Sequence, residues 1–208
     1  MAGELSRSGA GPGRRDILEA AAVAFTRSGY DATTIDDIAD ELSATKGRVY
    51  HYYRSKADIF LDVVTTGMRE LLAQIGPLAR QEAPAVDRLD RMVRRHASMM
   101  MTRNAFQRVA VQAVEMRRLG QGPRREALGE IVRLRDEYEQ LFADVVRDGQ
   151  AAGELREVDG RLATKPVLGA LNWITLWYDP ERADDGDVAR IAGEYAAFVV
   201  GGLRRERS

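Results

Sequence analysis

The residues best suited to bind a ligand lie in one short basic segment, residues 45–56. It reads Thr-Lys-Gly-Arg-Val-Tyr-His-Tyr-Tyr-Arg-Ser-Lys, with four cations, four ring side chains and no acid. A threonine that opens a helix leaves the first backbone N–H groups directed outward, where an anion such as a DNA phosphate can bind. Gly47 lets another backbone approach closely, and Lys46 and Arg48 can reach guanine edges or phosphates. The segment is typical of a helix-turn-helix recognition helix.

Two short helices are predicted before this segment. The first is expected to end at Ser28-Gly29-Tyr30 and has apolar residues at helical spacing, namely Ile17, Leu18, Ala21, Ala24 and Phe25. Thr33 or Thr34, each with an acid three residues later, caps the second. Residues 42–44 allow only a tight turn into the basic helix. Three short helices with the third exposed and basic are what a helix-turn-helix requires.

The composition favours a soluble, cytoplasmic protein with no membrane partner. The chain has 208 residues and no cysteine, which excludes disulfides and thiolate chemistry and fits a reducing compartment. No stretch approaches the ~20 apolar residues of a membrane span, and the N-terminus has no signal-length apolar run. The formal net charge is −1, so a basic face would be local, and affinity for DNA should fall with salt.

Catalysis is not predicted, and neither is a metal or a cofactor. The chain has two histidines, no cysteine, and neither a His-x-x-x-His nor a Gly-x-Ser-x-Gly motif. A second alternative is a helical protein whose basic helix binds an acidic partner other than DNA. Loss of binding to a palindromic duplex, with binding to another acidic partner retained, would favour that alternative.

The rest of the chain predicts helices throughout, without strand alternation or repeats. One long helix is expected from Ser55 to Gly76-Pro77, and further apolar stripes recur within residues 89–100, 106–114 and 128–145. The last two helices, about 161–178 and 186–204, are the most apolar. The predicted class is all-α, with a helix-turn-helix head on a helical bundle.

Residues 14–60 resemble the N-terminal domain of the TetR family of transcriptional repressors. The shared pattern is Phe25, Gly29-Tyr30, Thr33-Thr34, Ile38-Ala39 and the whole of residues 45–56. One departure is the turn, where the family often has Ala-Gly-Val and this chain has Leu-Ser-Ala. The predicted domains are a disordered arm at 1–13, the DNA-binding domain at 14–60, and an effector-binding and dimerisation domain at 61–208.

Position and resemblance together give the candidate DNA contacts. Lys46, Gly47 and Arg48 lie where base edges come within reach, and Arg48 is the predicted guanine reader. The resemblance places Tyr50 and Lys56 on phosphates and Thr34 and Thr45 at helix caps, with His51 and Tyr52 on sugar or phosphate. Tyr53 matches a core aromatic.

The resemblance also implies a homodimer formed through the last two helices. A two-fold dimer places two recognition helices about one turn of DNA apart, on a pseudo-palindromic operator. The candidate dimer contacts are Leu168, Leu171, Tyr195, Phe198 and Val199. Which apolar residues of these helices line a pocket and which meet the second copy stays open.

A small apolar effector is expected in the bundle. The candidate contacts are His96, Met100, Phe106, Tyr138, Phe142, Asn172, Trp173 and Trp177. For His96 a core histidine with one satisfied nitrogen is favoured over a ligand contact, and the two tryptophans are either pocket walls or interface anchors.

Residues 169–180, Gly-Ala-Leu-Asn-Trp-Ile-Thr-Leu-Trp-Tyr-Asp-Pro, are similar to a segment of TetR members that control fatty-acid or steroid breakdown. In those proteins acyl-CoA thioesters commonly release the repressor from DNA. Four arginines could meet CoA phosphates or simply face solvent: Arg124, Arg125, Arg133 and Arg135. The alternative effector is a drug or antibiotic, with the protein repressing an efflux operon.

Overall fold

The structure is a computed structural model that describes residues 13–112 and 124–205, and these ranges are helical with no β-sheet. The α-helices are α1 (Arg14–Ala32), α2 (Ile35–Glu41), α3 (Lys46–Tyr52), α4 (Lys56–Ala79), α5 (Ala85–Thr102), α6 (Asn104–Gln112), α7 (Arg125–Ala151), α8 (Gly160–Trp177) and α9 (Asp187–Leu203). The predicted all-α class is confirmed. The arm predicted at 1–13 lies outside the described residues except for Gly13.

The chain divides into two compact units, residues 1–63 and 64–208, and the division falls inside α4. Within the described ranges, no helix is both long and apolar enough to cross a lipid bilayer. The domain boundaries expected from the sequence, at residues 13/14 and 60/61, stay a prediction.

The N-terminal unit is built on a small aromatic core. Phe25, Tyr30 and Phe60 pack with ring centroids 4.9 to 5.8 Å apart, and Ile38 and Val49 are fully buried beside the core. The first helix turns out of its helical path at Gly29, whose φ of 77° is left-handed and suits a residue without a Cβ. The glycine stop predicted from the sequence is therefore a real break in the backbone, although hydrogen bonding continues to Ala32.

The turn between α2 and α3 adopts a strained backbone at Ser43. Its φ is 51°, in the left-handed region that favours glycine. The family often has glycine at this position, and the serine adopts a left-handed φ there.

The C-terminal unit packs around α5, the helix with the longest fully buried stripe. Leu89, Met92, Val93 and Met100 are at most 1% exposed, and α5 contacts α7, α8 and α9. The end predicted for α4 at Gly76-Pro77 is two residues early, because Pro77 lies inside the last turn and the helix runs to Ala79. A proline there removes only one backbone hydrogen bond near the helix end, so the helix continues past it.

Candidate nucleic-acid interface and ligand cavity

The short helix α3 presents its polar side chains to solvent and anchors itself through Val49. Val49 has no exposed surface. The exposed residues are Thr45, Lys46, Gly47, Tyr50, His51 and Tyr52. The predicted DNA contacts of α3 therefore form one accessible surface on a helix that the core holds in place.

Two cations of α3 are already positioned by neighbours. The Arg48 Nη2 lies 3.4 Å from the Tyr52 hydroxyl, and its guanidinium stands 5.3 Å from the centroid of that ring. The Lys46 Nζ pairs with Asp36 Oδ2 of α2 at 2.7 Å, with both side chains about half exposed. This hydrogen bond is the main cause of the raised pKa of Lys46. A carboxylate therefore competes with any phosphate for the Lys46 ammonium.

The cap of α2 is Thr34, which settles the alternative left open by the sequence. Its hydroxyl accepts from the Asp37 N–H at 3.1 Å, and the Asp37 carboxylate accepts from the Thr34 N–H at 2.7 Å. Thr33 is buried, and its hydroxyl donates to the Gly29 carbonyl at 2.6 Å. Thr45 occupies the N-cap position of α3, but the expected hydroxyl cap is wrong, because its side chain accepts no hydrogen bond from the helix.

Lys56 holds the end of α1. Its Nζ donates to the carbonyl oxygens of Tyr30, Asp31 and Thr33 at 2.6, 3.0 and 2.6 Å. An ammonium has three N–H donors, so these bonds engage all of them. A phosphate contact would have to replace or share one of these bonds, and that contact stays a prediction.

Tyr53 is buried, as expected for a core aromatic, and joins the start of α1 to α4. Its hydroxyl donates to the Asp62 carboxylate, which also pairs with the Arg14 guanidinium at 2.7 Å. Burial, and then the bond to Asp62, raise the pKa of the Tyr53 hydroxyl. The hydroxyl is therefore neutral at physiological pH and acts as a donor to Asp62.

The C-terminal unit holds a cavity of about 280 Å³ between its helices. Most of the wall is apolar, with a few amide, imidazole, phenol and charged groups. The lining residues are Met68, Leu71, His96, Gln107, Ala110, Val111, Arg135, Tyr138, Glu139, Leu168 and Asn172. An apolar cavity with a few convergent polar groups is the usual form of a small-molecule site.

A chain of hydrogen bonds forms the polar part of this wall and joins three helices. The His96 Nδ1 lies 2.7 Å from the Tyr138 hydroxyl, and its Nε2 lies 3.2 Å from Asn172 Oδ1. Because an amide oxygen only accepts, Nε2 carries the hydrogen and Nδ1 accepts from Tyr138. Burial lowers the pKa of His96 to about 4, so the ring is neutral at pH 7. Burial also raises the pKa of Tyr138 well above its usual value.

One cation also faces the cavity. The Arg135 Nη2 donates to the Ala110 carbonyl at 2.6 Å, and burial lowers the pKa of this guanidinium. Of the four arginines singled out in the sequence, Arg125 and Arg133 are exposed, whereas Arg135 alone is among the residues described as lining the cavity.

The structure brings together only part of the predicted effector site. His96, Tyr138 and Asn172 line the cavity. Phe142 packs behind them, with its ring 5.6 Å from that of Tyr138, while Met100 and Phe106 are buried in the surrounding core. Trp173 and Trp177 are 61% and 47% exposed and are not among the residues that line the cavity. The exposure of the two tryptophans favours the role of interface anchors.

Sequence reasoning missed several cavity residues. Gln107, almost fully buried, was not singled out, and its amide nitrogen lies 3.5 Å from the Gly67 carbonyl. Met68 and Leu71, for which no site role is predicted, also line the cavity, as does Leu168, a predicted dimer contact. A buried glutamine on an apolar stripe was the one signal that could have indicated this wall.

The last two helices expose an apolar face beside a groove of about 800 Å³. Leu162, Trp173, Leu176 and Trp177 share one side of α8, and Phe198 of α9 is 78% exposed. Among the predicted dimer contacts, Phe198 and Val199 line the groove and Tyr195 is half-buried. Leu171 is fully buried and Leu168 nearly so, so these two pack inside the protomer, where a second copy cannot touch them.

Comparison with known proteins connects both sites to one family. Residues 17–63 match the family of bacterial regulatory proteins of the tetR type, and residues 82–203 match the tetracyclin repressor-like C-terminal domain. The second match alone covers more than half of the chain.

Three relatives span nearly the whole chain. The transcriptional repressor KstR2 of Mycobacterium tuberculosis is 26% identical over 93% of this chain and 94% of its own. The structure of KstR2, described as a ketosteroid transcriptional regulator, has a TM-score of 0.80. It is 25% identical over 93% of this chain and 95% of that one. The fatty acid metabolism regulator protein of Bacillus subtilis is 23% identical over 94% of this chain and 97% of its own. The structure of AibR with isovaleryl coenzyme A and operator DNA is 22% identical over 89% of this chain and 96% of that one, has a TM-score of 0.74, and supports the fold alone.

These matches agree with two features of the structure. One is the exposed basic helix on its aromatic core, and the other is the helical unit that contains a cavity. The named relatives are regulators of transcription and not enzymes. The chain belongs to the TetR family of DNA-binding transcriptional regulators.

Proposed function

We propose that this protein is a homodimeric repressor whose affinity for a pseudo-palindromic operator is lowered by a small apolar effector, such as an acyl-CoA thioester of lipid or steroid breakdown. The observation that carries the proposal is the cavity of about 280 Å³, with its polar wall, in a chain that also presents a basic recognition helix. A ligand can shift an equilibrium between two states only by its differential affinity for them.

The basic helix supports recognition of double-stranded DNA by direct contact with base edges. Arg48 is set against the Tyr52 ring, which restricts the guanidinium before DNA arrives. Arginine is the commonest reader of guanine, through paired bonds to O6 and N7. Lys46, Tyr50 and His51 are placed for phosphates or sugars, which position the helix without reading sequence.

The exposed apolar face of α8 and α9 supports a second copy of this chain as its partner. Large aromatic side chains such as Trp173 and Phe198 rarely stay in water on an isolated protomer, and contiguous patches of this kind mark interfaces. A two-fold dimer buries the same face on both copies and sets the two recognition helices at a fixed spacing.

The effector class is supported by the names of the relatives and by the size of the cavity. KstR2 is described as a ketosteroid regulator, and the Bacillus subtilis relative as a regulator of fatty acid metabolism. A cavity of 280 Å³ is roughly twice the ~150 Å³ cavity that holds benzene. It accommodates a short or branched acyl group, of about eight to twelve heavy atoms, more readily than a long fatty chain.

The Asp36–Lys46 ion pair gives a prediction for DNA affinity. Replacing Asp36 with asparagine frees the Lys46 ammonium for phosphate, and the gain should be modest because exposed ion pairs of this kind are weak. We expect Asp36→Asn to strengthen binding to all duplexes by about 1.5- to 5-fold at low salt, measured by fluorescence anisotropy, with the gain fading as salt rises.

The matched control is Asp40→Asn, which removes the same charge from the same helix at an exposed carboxylate with no ion pair among the described residues. An equal gain in both variants would show that only the net charge matters and would contradict the competition between Asp36 and phosphate.

The dimer proposal predicts the effect of a charge on its face. Phe198→Glu places a carboxylate at the most exposed aromatic of α9 and should raise the dimer dissociation constant at least about thirtyfold, as loss of a central hot spot does. Sedimentation equilibrium should then report the chain mass of 23.1 kDa in place of twice that value. Val132→Glu, at a 55% exposed site on α7, is the control; a variant Phe198→Glu that stays dimeric would refute this interface.

The effector proposal is tested by thermal unfolding with matched ligands. Octanoyl-CoA, a steroid-acid CoA thioester, palmitoyl-CoA, palmitate and free CoA are compared at equal concentration. A ligand at 100 times its dissociation constant adds about 2.7 kcal/mol, which raises the midpoint by about 5–10 °C for a chain of this size. We expect octanoyl-CoA to raise the midpoint, the bulkier steroid and palmitoyl thioesters to raise it less, and free CoA to leave it unchanged. If no thioester acts, a drug-type effector takes precedence.

A further inference from the structure

We propose that the cavity binds its effector through a carboxylate that pairs with the guanidinium of Arg135, so that the effector is a small organic acid or an acyl group carrying a free carboxylate. This inference rests on the proposed function in one respect: the molecule that fills the cavity is the effector. It adds the charge of that molecule, which neither the family nor its named relatives supply.

The first step is the hydrogen bonding of Arg135. Its Nη2 donates to the Ala110 carbonyl at 2.6 Å, and no carboxylate of the described residues lies within ion-pair distance of its guanidinium. A guanidinium has five N–H donors in a planar fork. The donors that Ala110 does not use suit a carboxylate, which binds this fork through two parallel bonds.

The second step is the local charge. Glu139 is the acid that acts on Arg135 through space, and it also lines the cavity. Its Oε2, however, accepts from the Lys165 ammonium at 2.5 Å. Lys165 therefore balances Glu139, and among the described residues the charge of Arg135 has no carboxylate of its own. A single negative charge completes the wall.

The third step is desolvation. Burial lowers the pKa of Arg135, which means that the charged form loses hydration in the folded protein. A half-buried cation facing a cavity is costly unless an anion or several acceptors satisfy it. An anion in the cavity would remove this cost, so a carboxylate ligand should bind more tightly than a neutral ligand of the same shape.

Asn172, another residue of the cavity wall, offers further donors for an oxygen-bearing ligand. Asn172 accepts from His96 through Oδ1, which directs its amide N–H groups elsewhere. No acceptor for those N–H groups is found among the described residues, and Asn172 is only half-buried. The same cavity is also lined by Leu71, Val111 and Leu168, which present an apolar surface for a short carbon body.

Octanoate and octanamide are matched probes for this proposal, because they share size and shape and differ in charge. Calorimetric titration of the full-length protein should show octanoate binding about tenfold or more tightly than octanamide, since bonds to a charged group are roughly twice as strong as neutral ones. Arg135→Gln should abolish this preference. Arg133→Gln, an exposed arginine on the same helix, should preserve it.

A second pair of probes distinguishes a free acid from a carboxyl-bearing acyl group as the ligand. These probes are octanoyl-CoA and the CoA half-thioester of octanedioic acid. If the free acids bind weakly but the carboxyl-bearing thioester binds more tightly than octanoyl-CoA, and Arg135→Gln removes the difference, a carboxyl-bearing acyl group is the ligand. Preference for octanoate over both thioesters, lost in Arg135→Gln, identifies a free acid.

Equal binding of octanoate and octanamide to the wild-type protein, together with equal binding of the two thioesters, would overturn the role of Arg135 while leaving an apolar effector in place. Tight binding of free CoA that depends on Arg135 would overturn it as well, because the anion would be a phosphate. If none of these probes binds, the acyl effector of the proposed function is also lost. The wild-type comparison needs no variant, so misfolding of Arg135→Gln could not hide the result.

Discussion

The hydrogen bonds from Tyr138 to His96 and from His96 to Asn172 are the interaction on which the C-terminal unit depends. They connect α7, α5 and α8 through groups that are buried or half-buried. Burial keeps the imidazole and the phenol uncharged, so each donor finds an acceptor without a net charge in the core. The three helices are thereby fixed beside a cavity rather than collapsed onto one another, and a ligand that alters these bonds acts on all three.

The two units place the cations of their candidate sites in different environments. In the N-terminal unit, the exposed ammonium of Lys46 pairs with Asp36, and the guanidinium of Arg48 contacts the Tyr52 ring. We propose that these cations bind an external polyanion. In the C-terminal unit, Arg135 is set into a cavity wall where water solvates it poorly. The first arrangement gives affinity that salt weakens, and the second gives selectivity for the charge of a small ligand. The chain continues from one unit to the other through α4.

The DNA-binding helices could be predicted from the sequence because their determinants are local. The Thr34 cap, the glycine break at Gly29 and the basic run of α3 each depend on residues close together in the chain. Partners far apart in sequence could not be predicted. The three carbonyl groups that accept hydrogen bonds from Lys56 lie more than twenty residues away in the chain. The sequence pattern therefore predicted a phosphate contact for Lys56 and did not predict these bonds.

The effector site could likewise be predicted only in part from the sequence. Apolar periodicity found the helices, and His96, Tyr138 and Asn172 were all identified as candidates. It could not show which face of α8 turns inward, because α8 is apolar nearly all round. Leu171 was therefore assigned to the dimer and Trp173 to the pocket, and the structure places Leu171 in the core and Trp173 at the surface. Apolar periodicity identifies the residues that avoid water. It cannot distinguish the protein core from a dimer interface, because both exclude water.

We propose that occupation of the cavity and binding of DNA are thermodynamically coupled. The most direct test measures the dissociation constant of an effector that binds in the cavity, by calorimetry, with the free dimer and with the dimer saturated by its operator duplex. Coupling is reciprocal, so the operator should weaken the effector by the same factor by which the effector weakens the operator, about 5- to 150-fold. An effector affinity that is identical with and without DNA would contradict the account.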